Sequence, residues 1–176
     1  MILSRQQQYI LEILNRLGCA QKRQLDILLA ARFFPEGKAP PDGFTDILLR
    51  QLAFCNVEVR ADGDVLFLRD AARNVNMPEA IDVMIELSRG KPRDFCRGDD
   101  ESVLLRFAAE GGARFVVLNC GGAAHTSVRG PPRFLPDEIA VVLISDESGA
   151  LPIRCTETQY YALRRQDGTH RFFRAE

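Results

Sequence analysis

The stretch Val57-Glu58-Val59-Arg60, Ala61-Asp62-Gly63-Asp64, Val65-Leu66-Phe67-Leu68 decides how the first part of the chain is read. Two short runs with apolar residues flank Asp62-Gly63, a pair that marks a tight hairpin because glycine reaches the positive φ such turns need. The hairpin gains its meaning from what precedes it. Ser4 is placed to cap a helix whose Ile10, Ile13, Leu14 and Leu17 recur at i, i+3, i+4 and i+7, and Gly18 is placed to end it. A second helix is expected from Gln21 to about Phe33, stopped by Pro35-Glu36-Gly37-Lys38-Ala39-Pro40-Pro41, which no helix can cross. A third, capped by Asp42, should run from Gly43 to Cys55. Three helices followed by a strand-turn-strand unit predict a winged helix-turn-helix domain over residues 1–72.

Asp70 to Asn76 reads as a linker into a second domain over residues 76–176. Pro78 suits the first turn of a fourth helix, with Ile81, Met84 and Ile85 facing inward and Arg89-Gly90 at its end. Strands are then expected at Ser102–Ala109, Arg114–Cys120, Ile139–Ser145, Thr158–Arg164 and Thr169–Arg174, with hairpin turns at Gly111-Gly112 and Asp167-Gly168. Gly121 to Pro136 reads as an irregular excursion. The expected fold class is α+β: a winged helix-turn-helix, then a small α/β domain with a mainly antiparallel or mixed sheet, reminiscent of a degenerate restriction-endonuclease-like fold.

Composition narrows the functional classes. With 46% apolar and 27% charged residues in 176, the chain can bury a core without metal or disulfide staples. Lys+Arg 23 against Asp+Glu 24 gives a formal net charge of -1, so no global basic field attracts nucleic acid or an anionic membrane. Five widely spaced cysteines, Cys19, Cys55, Cys96, Cys120 and Cys155, form no CxxC and fit buried reduced thiols. Met1–Gln8 lacks a signal-peptide pattern and no apolar run approaches membrane-spanning length, so a cytoplasmic protein with no membrane partner is expected.

Arg5-Gln6-Gln7-Gln8-Tyr9-Ile10, Ala61-Asp62-Gly63-Asp64, Ala80-Ile81-Asp82-Val83-Met84 and the terminal hairpin from Tyr161 to Phe173 carry a family likeness. In these pieces the chain resembles replication-relaxation winged-helix proteins, and a related uncharacterised family from mobile elements of anaerobic gut bacteria. The resemblance implies a DNA-associated accessory role in plasmid or element replication, relaxation or transfer.

The chemistry-bearing residues favour binding over catalysis. A metal-dependent nuclease needs carboxylates and a nearby lysine on adjacent strands. Val116-Val117-Leu118-Asn119-Cys120 offers neither acid nor base, while Asp94, Asp99, Asp100 and Glu101 read as a solvated turn. Cys120 with His125 as a nucleophile and base, or Cys96, Cys120, Cys155 and His125 as a zinc set, lacks supporting spacing. Cys120-Gly121-Gly122-Ala123-Ala124 lacks a phosphate-loop pattern, and His170 reads as a surface or half-buried histidine. No catalytic residue, metal or cofactor is therefore assigned.

Two kinds of partner remain. Weak, electrostatic DNA contact would use Arg5, Arg16, Lys22 and Arg23, with Arg50 on helix three and Arg60 on the wing. Helix three, however, carries little polar surface, and its Asp46 and Arg50 stand at i, i+4, where they are expected to pair. Leu49 and Ala53 should lie on the side opposite the core, with Ile47 and Phe54 extending the core side. That points to the alternative, an adaptor that uses the winged helix to bind a protein partner or a second copy. A contiguous Lys/Arg surface would favour DNA; an exposed apolar face on helix three would favour protein.

Overall fold

The computed structural model describes residues 2–69, 74–98, 102–119, 134–145 and 159–174. Helix α1 (Arg5–Leu17) begins as its sequence dictates: Ser4 Oγ accepts from the Gln7 N–H at 3.2 Å, and the Ser4 N–H donates to Gln7 Oε1 at 2.8 Å. Two otherwise orphaned donors are thereby satisfied. At its other end Gly18, at φ 84°, donates to the Leu14 carbonyl at 3.0 Å. Between these caps Ile10, Ile13, Leu14 and Leu17 are buried on one face.

Strand β1 (Cys19–Gln21) follows directly, then α2 (Lys22–Phe33), α3 (Phe44–Phe54), β2 (Val59–Asp62) and β3 (Val65–Leu68). The three strands form an antiparallel sheet in the order β1-β3-β2. Strand β1 is an addition to the sequence reading, since three residues are too few to display an alternating pattern. Three boundaries also move. Gly43, in a left-handed conformation at φ 71°, occupies the N-cap of α3 in place of Asp42. The Val57 N–H bonds back to the Leu52 carbonyl at 3.1 Å, so β2 starts two residues later than expected. Asp62 pairs with Val65, which leaves Gly63-Asp64 as the two turn residues and puts Gly63 at φ 61°.

Helix α4 (Met77–Ser88) starts with Pro78 in its first turn and stops at Arg89 and Gly90, both at positive φ. Its Ile81 and Met84 are fully buried, and Ile85 is half-buried. Six strands follow among the described residues: β4 (Arg93–Arg97), β5 (Val103–Ala108), β6 (Arg114–Asn119), β7 (Glu138–Ile144), β8 (Gln159–Arg164) and β9 (His170–Arg174). They lie in sequence order in one sheet, parallel at β6/β7 and β7/β8 and antiparallel elsewhere. The chain is thus a mixed α+β protein. Strand β4 lies where Asp94 reads as part of a solvated turn: Pro92 precedes it, Asp94 sits at φ 48°, and only Phe95 within it is buried. The positive φ coincides with a shift in pairing register between Arg93 and Cys96, the mark of a bulge.

One continuous apolar cluster runs from α1, α2, α3 and β3 through Met77, Ile81 and Met84 of α4. It continues to Phe95, Leu105, Val117, Val141 and Ala162 of the larger sheet. The alternate residues Val103, Val116, Leu118, Ala140, Val142, Ile144 and Tyr161 form a second cluster, with Phe134, Leu163 and Phe173 packed against it. Burial of both faces explains why β6 and β7 read as nearly unbroken apolar runs. The linker reading at Asp70–Asn76 falls partly, and the Gly121–Pro136 excursion mostly, outside the described residues. No helix of the described residues is long and apolar enough to cross a membrane.

Candidate functional site

In the first turn of α2, expected to meet phosphate, Gln24 is buried while Lys22 and Arg23 stay half-exposed and pair with carboxylates of neighbouring helices. Asp82 of α4 is buried and accepts from Arg23 Nη2 at 2.5 Å and from Gln24 Nε2 at 2.7 Å. Gln24, fully buried, also donates to the Pro78 carbonyl at 2.6 Å. Lys22 Nζ lies 2.5 Å from Asp46 Oδ2 on α3. That contact replaces the expected pairing of Asp46 with Arg50, because Asp46 stands at the start of α3 within reach of α2. Lys22 and Arg23 therefore join α2 to α3 and to α4 while remaining half-exposed.

Two of the other four expected cations, Arg16 and Arg60, are engaged as well. Arg16 pairs with Glu12 at 3.3 Å, donates to the Phe95 carbonyl at 3.4 Å, and lies 5.5 Å from the Phe95 ring centroid, which fastens α1 to β4. Arg60 Nε sits 2.8 Å from Glu58 Oε1, and Arg69 lies 3.5 Å from the same carboxylate. The hydrogen bond from Arg60 holds the Glu58 carboxyl below its ordinary pKa. Such exposed pairs add little to stability because water and salt screen them, yet each places a carboxylate beside a cation and blunts its field toward phosphate. Of the six expected contacts, Arg5 and Arg50 are exposed without an ion-pair partner among the described residues.

Polar contacts set the rotation of α3. The Thr45 hydroxyl donates to the Asp26 carboxylate, Asp46 reaches Lys22, and Gln51 Oε1 accepts from Gln7 Nε2 at 3.0 Å. Thr45, Leu48 and Leu52 consequently face inward, and Leu49 is half-buried against the same core. The expectation that Leu49 lies opposite the core is corrected by this rotation. Ala53 is exposed as expected, but the apolar residues beside it are Ile47, 49% exposed, and Phe54, 81% exposed. They are seven residues apart, two turns on one helical face, and Arg50 lies between them. The outward side of α3 therefore presents Ile47, Arg50, Gln51, Ala53 and Phe54.

Elsewhere, a cavity of about 330 Å³ lies where the α2 end, the 34–38 loop and the α4–β4 turn meet, lined in part by Lys38, Arg89 and Lys91. The C-termini of α2 and α4 both end there, and cations beside helix C-termini balance the negative ends of their dipoles. Lys91 is further paired with Glu36 at 3.6 Å. Cys19 is buried and Cys55 half-buried, whereas Cys96 is exposed, contrary to the expectation of buried thiols throughout, because its side chain lies on the outer face of β4. Among the described residues no group of three or more His, Cys, Asp or Glu is placed to hold a metal. Cys120, Gly121, Gly122, His125 and Cys155 lie outside the described residues, as do Asp99, Asp100 and Glu101.

His170 departs furthest from expectation. Its side chain is wholly enclosed, with Nδ1 2.7 Å from Glu86 Oε1 and Nε2 3.6 Å from Glu79 Oε1. The i, i+7 spacing of two glutamates on α4 was the available signal, but their partner lies 84 positions away from Glu86. No protein-family model, curated protein or solved structure matches the chain.

Proposed function

We propose that the protein is a non-catalytic assembly module: a winged helix-turn-helix over residues 1–72 whose α3 packs against a second copy of the chain. Phe54 carries the reading. A DNA-reading helix turns cations and amides toward the base edges, whereas the outward side of α3 offers Phe54 and Ile47, with one arginine and one amide, Gln51, between them, and Gln51 is already bonded to Gln7. An aromatic ring as exposed as Phe54, with Ile47 on the same helical face, supports a contact surface there. A second copy is the favoured occupant because a formal net charge of -1 leaves two chains without long-range repulsion. The order α1, β1, α2, α3, β2, β3 with the sheet order β1-β3-β2 supports the winged-helix reading of this region.

Sedimentation velocity over a wide concentration range, on the wild-type chain and on Phe54→Glu, tests this. Wild-type protein should associate as concentration rises, and Phe54→Glu should remain monomeric with an unchanged circular-dichroism spectrum. A wild-type chain that stays monomeric throughout, or a variant that associates equally well, overturns it.

A second reading keeps the DNA-associated accessory role that the family resemblance implies. Arg5 and Arg50, the expected cations without ion-pair partners among the described residues, favour it. Fluorescence anisotropy with duplex DNA separates the two, since a DNA reader binds tightly at physiological salt and loses that affinity on Arg50→Ala.

A further inference from the structure

His170 opens β9, an edge strand of the larger sheet among the described residues. The Glu86 carboxylate takes two contacts from it: the main-chain N–H donates to Oε2 at 3.1 Å, and Nδ1 lies 2.7 Å from Oε1. An ionised carboxylate only accepts, so the short contact places a proton on Nδ1. In a neutral ring Nε2 would then be a bare lone pair. It faces Glu79 Oε1 at 3.6 Å and is buried without a hydrogen-bond partner. Only the imidazolium turns an N–H toward both carboxylates.

The surroundings agree. From α4 the groups facing the ring are Glu79 and Glu86; from β8 it is the register partner Arg164, which is exposed; from β9 it is the uncharged Phe172 ring, 6.2 Å between centroids. Burial pushes the imidazole pKa down, but hydrogen bonding and charge from Glu79 and Glu86 outweigh it and the net direction is up.

We propose that His170 is a proton-operated latch: as the imidazolium it fastens β9 to α4 through both Glu86 and Glu79, and when the Nε2 proton leaves to solvent the Glu79 attraction is lost, Glu86 alone holds the ring, and the β8–β9 hairpin loosens from the helix. A histidine raised on folding stabilises fully below its unfolded pKa, about 6.5, and that stabilisation fades as pH rises through the folded value. The latch is therefore closed on the acid side of that transition and open on the alkaline side.

Imidazole NMR of the full chain tests it, with His125→Gln assigning the two histidines. The His170 midpoint should lie above that of free histidine and fall in Glu79→Gln. Exchange protection of the His170–Arg174 amides, corrected for intrinsic pH dependence, should drop about tenfold for each unit by which the midpoint exceeds the unfolded value. A midpoint at or below that of free histidine overturns the proposal, as does β9 protection that stays constant across the midpoint. The midpoint and the protection are both read on the wild-type chain, so the outcome stands even if Glu79→Gln fails to fold.

Discussion

Gly90 brings α4 against α2 at a distance no side chain tolerates. A Cβ built there would lie 2.9 Å from Ala31 Cβ and 3.6 Å from Ile27 Cγ2, and the backbone φ of 75° is itself one that side chains disfavour. Both effects act in the same direction. Gly90→Ala should lower unfolding free energy by about 1–3 kcal/mol, read from the urea midpoint at unchanged m. No loss would mean that the two helices do not approach so closely. Ser4, Gly18 and Gly90 were legible as helix ends because a cap acts within one helical turn of its own position, whereas the approach of Gly90 to Ala31 was not. Arg23 and His170 were not. Arg23 reads as a surface cation until α4 supplies the buried Asp82 carboxylate, and His170 reads as a surface ring until Glu79 and Glu86 enclose it.

Helix α3 shows how an element can be found by periodicity and still be turned the wrong way. Its apolar positions cover so much of the circumference that hydrophobic pattern alone leaves its azimuth open. Thr45 with Asp26, Asp46 with Lys22 and Gln51 with Gln7 set the azimuth, and none of these pairs is visible to a helical wheel. The outcome separates two neighbouring substitutions. Leu49→Glu places a carboxylate against the core and should cost roughly 1–3 kcal/mol of stability. Phe54→Glu changes an exposed position and should shift stability by no more than about 0.5 kcal/mol. Thermal melts of the two variants at one pH check this; equal losses would mean that Leu49 and Phe54 share a face. Strands β1 and β4 escaped the sequence reading for a related reason. Three residues hold no alternation, and a bulged strand with one buried side chain resembles a loop.

For the molecule as a whole, charge placement decides what kind of partner it meets. Four of the six cations expected to meet DNA, Arg16, Lys22, Arg23 and Arg60, pair with the chain's own carboxylates, and two of those pairings connect separate helices: α2 to α3, α2 to α4. With Arg5 and Arg50 left among the expected contacts, counterion release should be small. Any binding to duplex DNA should show a slope of only about -2 in log K against log salt, since each neutralised phosphate contributes about -0.9. A much steeper slope would mean that the internal pairs open to phosphate. Sheet membership and helix order were accessible from alternation, caps and turns. Which surfaces face outward was not, because that depends on how the helices are rotated against one another and against the larger sheet.

The outward side of α3 can be observed at a single atom. In protein labelled at isoleucine methyl groups, Ile47 reports that face, while Ile27, 42% exposed on α2, serves as an exposed control away from it. A concentration series should move or broaden the Ile47 methyl resonance and leave Ile27 in place, because association covers α3. An Ile47 resonance that stays fixed with concentration and shifts on adding duplex DNA would contradict this and make α3 a nucleic-acid reader.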